Sequence, residues 1–549
     1  MNKAPARKAR PKPRAPAPKL VLGVDVGTGS ARAGLFTLDG KLAGRGEARI
    51  RTWQTTPNHV EQSSNDIWRS VTRAVRQALR NAKANGDAVV GVGFDATCSL
   101  VALDRKNEPV TVSVTGDDER NIVVWMDHRA VGDAAEINAT KHRVLDYVGG
   151  VISPEMQTPK LRWLKRELPK TWRRTTQWFD LPDFLTWRAT GVDDRSLCST
   201  VCKWTYLGHE RAWDASYFRA IGLGDLADDD FRRIGARVRV PGERIGALTS
   251  SAAKELGLVP GTPVAASMID AHAGALGTVG GAGHPSPIGR RMAVIAGTSA
   301  CHLASAPEQA SVPGVWGPYY EALLPGEWLL EAGISASGAF LDHVLKSHPA
   351  YRADRDTFAA LEAAVERTEK SGVGEVELTR DLHLQPNVLG NRAPLADPHL
   401  RGGVSGWALR DDPEDLLRWY LAALQSLAYA TRHILDAFAA RGREVDLLIA
   451  SGGSANNARW CRIHADALGI PVAIPEEADG VLLGSAMLGA TAAGVHASLP
   501  AAMTTMTRLG RIVSPNSARR GFHDRKYKVY RRMIDDQRAY AALMTQARA

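Results

Sequence analysis

Asp270 and His272 stand two positions apart in "VAASMIDAHAGALG" (residues 264–277), a stretch otherwise made of small and apolar side chains. An acid in such company either caps a turn or helix, or acts as a base toward a reacting hydroxyl. Two other stretches suit anions. Gly27-Thr28-Gly29-Ser30 follows the apolar run Leu20–Val26, and Gly297-Thr298-Ser299 follows "RMAVIA". Such turns expose backbone N–H groups and add hydroxyls, which makes a nest for phosphate. Singly they are ordinary hairpin punctuation. Facing one cleft, they would grip a polyphosphate from both sides. Asp25 lies in the first run, just before its turn. A carboxylate inside a buried strand is costly unless paired or metal-bound. Asp25 therefore reads as an acceptor for the turn's own N–H groups or, by slight preference, as a water-mediated partner of Mg2+ on the phosphates. No Gly-Lys-Ser/Thr occurs in the chain, which excludes a Walker-type loop.

"SGGSANN" (451–457) follows another apolar run, and the "ARWCRIHADALG" after it is helix-like. Paired glycines permit close backbone approach and a helix start favours an anion, so a nucleoside is the natural ligand. A plain strand-to-helix turn is the competing reading. Polar side chains suited to a sugar are Asp95 after a buried strand, Asp127 in "VVWMDHRA", Glu155 in "ISPEMQTPKLRWL" and Lys203 in "STVCKWTY". Acids and a lysine together hold hydroxyls and a carbonyl, although each alone is more often a cap or a surface charge. His128, His272 and His302 are assigned no catalytic role, and His272 is placed at most on the site's wall.

The elements that must position these groups begin with strand Leu20–Val26, the Gly-rich turn, strand Arg32–Leu38, an Asp39-Gly40 hairpin signal and a third strand in Leu42–Arg51. Ile67, Val71, Ala74, Val75, Ala78 and Leu79 then recur at helical spacing, with Ser63 and Asp66 as a capping pair. "AVVGVGFDATCSLVALD" supplies the next buried strand. This order differs from a Rossmann unit, whose first strand and Gly-rich turn open directly into a helix. Strand, Gly-Thr-Ser turn and strand recur at 291–306, and strand, turn, helix and strand at 446–475. The expectation is two related α/β domains, 20–265 and 266–512, with a cleft between them and Asp270 at their junction. Residues 513–549 read as a helical extension in which Met533, Tyr540 and Leu543 pack back on the body.

A chain of 549 residues is too long for one core. Its 44% apolar and 23% charged residues exclude a disordered or membrane protein. No apolar run approaches the roughly 20 residues of a membrane helix. The formal charge of +10 is local: residues 1–19 hold seven Lys or Arg, no acid and five prolines, and without them +3 remains. That segment reads as a solvated, disordered tail rather than a nucleic-acid or surface anchor, and it lacks a secretory apolar core. Five cysteines are scattered, and no Cys/His pair joins Cys198 and Cys202 in a zinc pattern. They read as reduced thiols of a cytoplasmic enzyme without a structural metal.

Eight ordered blocks between about residue 20 and about 512 resemble the FGGY carbohydrate kinases, within the actin/Hsp70-like (ribonuclease H-like) superfamily. Among them are "GVDVGTGSARAGLF", "KLRWL", "GTPVAASMIDAHAGALG", "AGTSA", "LGNRAPLADPHLRGGVSG" and "ASGGSANNARWCRIHADALGIPV". The resemblance implies two duplicated α/β domains, the N-terminal one binding sugar and the C-terminal one nucleotide, and Mg2+- and ATP-dependent phosphorylation of a sugar or polyol hydroxyl. Carried over by position, Asp270 is the catalytic aspartate and Asp25 the metal-linked acid. Thr28, Gly29 and Ser30 match the first phosphate turn, Gly297 and Thr298 the second, and Gly452, Gly453 and Asn456 the adenosine-side loop. Asp127 lies in a block near substrate, and with Asp95, Thr97, Glu155, Lys203 and Asp270 it completes the expected substrate-binding set.

Departures narrow the substrate. Glycerol kinases carry an Arg-Glu pair where Ala96 and Thr97 stand, Tyr in place of Glu155 and Gln in place of Ala271. "GFDATCS" and "CSTVCKW" are more similar to ribulokinases. Gln157 and Asn391 replace a usual small residue and a common Glu. The substrate expected is a five-carbon ketose, D-ribulose first, with L-ribulose, D-xylulose and ribitol in the same class. A non-catalytic nucleotide-binding regulator of this superfold is the reading from a different class. The partner is a small molecule, not a membrane or nucleic acid, and a homodimer is compatible with the sequence.

Overall fold

The computed structural model describes residues 18–353 and 356–546, so the basic segment, Pro18 and Lys19 apart, lies outside the described residues. The first half is built on a sheet ordered Leu42–Arg49, Ser30–Thr37, Leu20–Val26, Val89–Ala96, Pro263–Ala265, Arg244–Ala247. The first three strands form an antiparallel meander, the next two continue in parallel, and an antiparallel strand closes the edge. Leu20–Val26 is buried along its whole length. That is why it reads as a continuous apolar run rather than an alternation.

The second half repeats the scheme. Trp328–Ile334, Ala300–Ala306 and Arg291–Ala296 form the meander, Leu447–Ser451 and Val472–Pro475 continue in parallel, and Leu509–Val513 closes the edge antiparallel. One extra strand, Trp316–Tyr320, pairs outside the meander. The shared strand order is the duplication expected from the two turns. The first sheet runs slightly past the boundary expected near residue 265. "VAASMID" contains two short strands on one neighbour, and Met268–Ile269 pairs in parallel with Val89–Ala96, so the first sheet reaches residue 269.

Helices Asp270–Val279 and Gly480–Ala492 pack on each other between the sheets. The second is apolar on nearly every side, as a helix buried all round must be. It lies on strands Leu20–Val26 and Val89–Ala96 although it comes from the far end of the chain. A Cβ on Gly93 would sit 1.9 Å from the Ser485 carbonyl oxygen, and one on Gly484 would sit 1.9 Å from that of Ala273. Only hydrogen fits at either place, which outweighs the cost of glycine in a helix or strand.

A smaller five-stranded sheet runs from Trp53–Thr56 to Gln177–Asp180 in the first half, and its Asp180 accepts from Gln157 Nε2, in helix Gln157–Glu167, at 2.8 Å and from Trp204 Nε1, just after helix Leu197–Lys203, at 2.9 Å. At the other end, helix Ser517–Gln546 docks through Phe522, Tyr527, Tyr530 and Ile534, a stripe at helical spacing. Tyr540 and Leu543, expected to pack, are 63% and 65% exposed. Among the described residues no helix is long and apolar enough to cross a membrane.

Candidate active site

The cleft holds a cavity of about 520 Å3. Its wall brings Asp270 together with Trp125, Glu155, Lys203, Glu331 and Arg392, all side chains suited to sugar hydroxyls. The same wall carries Thr28, Gly297, Thr298, Gly452 and Gly453, the turn residues suited to phosphate. Asp270 opens its helix straight from strand Met268–Ile269, and its Oδ1 accepts the Ala271 N–H at 2.8 Å. Burial raises its carboxyl above the ordinary range, against the pull of that bond and of Arg32.

Each turn is tied down from outside. At the first, Gly27 N–H bonds Ser30 O at 3.0 Å, Gln62 Nε2 donates to Thr28 O at 2.7 Å, and Trp125 Nε1 donates to Thr28 Oγ1 at 2.9 Å. At the second, Ser337 N–H bonds Thr298 O at 2.9 Å and Gly338 N–H bonds Gly297 O at 3.0 Å. Gly452 has φ 88° and a Cβ there would lie 2.6 Å from Ala296 O, whereas Gly453 faces open space. The close approach permitted by the first glycine is thus to the strand feeding the second turn. Gly29 and Ser30 belong to the first turn but lie off the cavity wall, with Ser30 Oγ donating to Glu47 at 2.9 Å. Asn456 ends the short Gly453–Asn456 turn, also off the wall.

Asp25 and Asp95 face each other across two parallel strands, both fully buried. Burial and repulsion raise both carboxyls: Asp25 to about 7 despite Arg32 in ion-pair contact, and Asp95 well above its ordinary value. Each carboxylate's charge disfavours ionisation of the other, and the Arg32 guanidinium eases that cost for Asp25. Neither Asp25 oxygen, nor Asp95 Oδ1, accepts an N–H or hydroxyl in hydrogen-bond geometry. Asp25 Oδ1 and Asp95 Oδ1, left without a donor beside the first glycine-rich turn, fit a cation held through water, while Asp25 Oδ2 is paired with Arg32. Asp95 is therefore corrected from the sugar-binding set. Its Oδ2 accepts from Ser485 Oγ at 2.5 Å, and it works as Asp25's neighbour.

Asp127 is corrected too. It is fully buried and accepts from Val60 N–H at 2.7 Å and from Arg129 Nε at 2.8 Å, so it is a structural ion pair away from the cavity. Its neighbour Trp125 is the residue of that block that reaches the site. Thr97, Glu155 and Lys203 line the cavity as expected. Burial would raise Glu155, but His128 at 3.8 Å and the charges of Arg392 and Lys203 hold it below its ordinary value.

Besides Trp125, three contributors were not singled out in the sequence. Glu331, in strand Trp328–Ile334, is held near 2 because Lys203, His272 and Arg392 outweigh its burial. An acid inside "WLLEAGI" carries the same cost signal that marked Asp25. Arg392 reaches Glu331 at 3.3 Å and lies 4.0 Å from the Trp316 ring centre. Lys160, the lysine of "KLRWL", is fully buried and donates to the carbonyls of Val124, Trp125 and Glu155 at 3.1, 3.1 and 3.2 Å. It fixes two cavity residues without touching the cavity.

His272 lies behind the wall rather than on it. Its Nδ1 is 2.9 Å from Cys198 Sγ and its Nε2 3.4 Å from Glu331 Oε2. Cys202 joins them, so three buried ligand-type side chains meet within 4.8 Å where no histidine partner was expected. Burial opposes both charges, yet a hydrogen bond from Cys202 and the His272 contact lower the Cys198 thiol to about 5, and Cys198 and Glu331 raise His272 to about 10.

Against known proteins, the model of the FGGY family of carbohydrate kinases, N-terminal domain, matches residues 20–277, and that of its C-terminal domain matches 292–493. An FGGY carbohydrate kinase domain-containing protein of Homo sapiens is 44% identical over 541 residues, 95% of this chain and 97% of that protein. A D-ribulokinase of Saccharomyces cerevisiae is 37% identical over 524 residues, 88% of this chain and 73% of that one. The fold is shared with a solved xylulose kinase of Lactobacillus acidophilus, at TM-score 0.78 and 16% identity over 95% and 99% of the two chains. The chain belongs to the FGGY family of carbohydrate kinases. It is an ATP-dependent sugar kinase of two α/β domains.

Proposed function

We propose that this kinase phosphorylates a five-carbon ketose, D-ribulose, to D-ribulose 5-phosphate. The observation that carries the reading is that Asp270 shares one cavity with a sugar-type set, Trp125, Glu155, Lys203 and Glu331, and with the two phosphate turns. Lys203 supplies a donor for the ketose carbonyl, while Glu155 and Glu331 accept from hydroxyls. The descriptions of relatives as D-ribulokinase and ribulokinase support the same sugar class.

Asp270 accepts a hydrogen bond from the terminal hydroxyl and takes its proton as the oxygen attacks the γ-phosphorus. The bond from that phosphorus to the bridging oxygen breaks, and ADP leaves. Phosphoryl transfer needs positioning and charge neutralisation more than a strong base. Thr28, Gly297 and Thr298 orient the phosphates with backbone N–H groups and hydroxyls, and Asp25 with Asp95 would hold Mg2+ through water. Bound there, Mg2+ neutralises phosphate charge. Residues 20–269 carry most of the sugar side and the later residues the nucleotide side. Five free cysteines support a reducing, cytoplasmic setting.

ADP release is measured with Mg2+-ATP and D-ribulose, L-ribulose, D-xylulose, ribitol or glycerol. D-ribulose gives the highest kcat/KM, and Asp270→Ala abolishes turnover while ATP still binds. An active Asp270→Ala protein refutes the assignment of the base. Failure of every polyol to stimulate ADP release leaves a nucleotide-binding regulator instead.

A further inference from the structure

The chemistry proposed for Asp270 depends on where its carboxylate points, and the backbone around it is gripped from one side. Cys198 Sγ accepts the N–H of Ile269 at 3.5 Å and meets His272 Nδ1 at 2.9 Å. These partners lie one residue before Asp270 and two after it. The sulfur thus holds both flanks of the residue that opens the helix. Cys198 itself is seated firmly. Its N–H donates to Ser196 Oγ, and Asp183 accepts from Ser196 N–H at 2.7 Å, Ser199 Oγ at 2.6 Å and Ser267 Oγ at 3.2 Å. One carboxylate therefore binds the Cys198 helix to the strand segment leading into Asp270. The far nitrogen of His272 reaches Glu331 on the cavity wall, and Lys203 ends the same helix that carries Cys198.

We propose that Cys198 is a positioning residue whose sulfur, acting through Ile269 N–H and His272, sets the geometry of Asp270 and Glu331 together. The inference rests on the reading of Asp270 as the base. The same cluster, with Cys202, could be taken for a metal site. Two ligands of a tetrahedral zinc ion stand about 3.5 Å apart from sulfur to nitrogen. The 2.9 Å contact is that of a direct hydrogen bond, and the N–H from Ile269 occupies a further lone pair of the sulfur.

The test uses the full-length enzyme with Mg2+-ATP and D-ribulose. Cys198→Ala and the near-isosteric Cys198→Val both remove the acceptor, and Cys198→Ser retains one. Displacing a reacting group by a fraction of an ångström to 1 Å costs on the order of 10- to 100-fold. Expected is a fall in kcat of at least about 10-fold for Ala and Val. The KM for the sugar rises, the KM for ATP is unchanged, and Cys198→Ser recovers most of kcat. Val decides if Ala fails to fold. Wild-type kcat in the Val variant overturns the proposal, as does a Ser variant no better than Val. One zinc per chain by atomic emission, with equal loss in Cys202→Ala, overturns it in favour of a metal site. These outcomes leave the kinase reading untouched, because that stands or falls on sugar-stimulated ADP release by the wild type and its loss in Asp270→Ala.

Discussion

Trp125 Nε1 donates to Thr28 Oγ1 at 2.9 Å, so an aromatic ring on the cavity wall holds a hydroxyl of the first glycine-rich turn. Trp125→Phe keeps an aromatic ring and removes the donor. A lost neutral hydrogen bond of ~1 kcal/mol corresponds to about a five-fold fall in kcat/KM. Steady-state kinetics with each substrate varied checks this, and unchanged parameters for ATP would show that Thr28 is held by other means.

Lys160 makes no contact with the cavity, yet its ammonium gathers the carbonyls of Val124, Trp125 and Glu155. Lys160→Met leaves those carbonyls unpaired, at a cost of about 1–3 kcal/mol. The sugar KM should rise well before that for ATP, since the proposed function assigns Glu155 to the sugar. Equal effects on the two KM values would contradict this division.

Gly484 meets Ala273 where the two central helices cross. Gly484→Ala forces the helices apart, and overpacking of this kind costs roughly 1–3 kcal/mol. Thermal denaturation should show a clear drop in Tm. Gly453→Ala, where a Cβ would meet nothing within 4 Å, should leave Tm unchanged.

Asp180 is fully buried, and its carboxyl is raised to about 7, chiefly by burial and then by Asp183. A folded-state value above the ordinary one means that the folded state prefers the protonated form. The stabilisation is complete below the ordinary carboxylate value and is lost as pH rises toward 7. The Tm of the wild type minus that of Asp180→Asn should therefore fall between pH 4 and pH 7. A difference that grows with pH would contradict the shift.

The two glycine-rich turns, the meander strands and the helix start at Asp270 were legible because each is local: a glycine-rich turn between apolar runs, or an acid among small residues. Asp127 and Asp95 were misread because an acid beside a site and an acid supporting one look alike in sequence. Only the partners differ, Arg129 for the first and Asp25 with Ser485 for the second. Glu331 carried the cost signal of a buried acid but sits about 60 residues from His272, so no spacing joins them. Gly484 and Gly93 serve backbone contacts across hundreds of positions, and their purpose exists only in three dimensions.

The glycine crossing of the central helices has a mechanical reading. Asp270 stands one turn from Ala273, where the backbone of its helix meets Gly484 of the helix from the far end of the chain. If the halves swing about that contact, displacement grows with distance from it. The outer rims travel far, and the carboxylate at the axle travels little. Such an enzyme can sweep solvent from its cleft and bring ATP to the sugar while the Asp270 carboxylate stays nearly still.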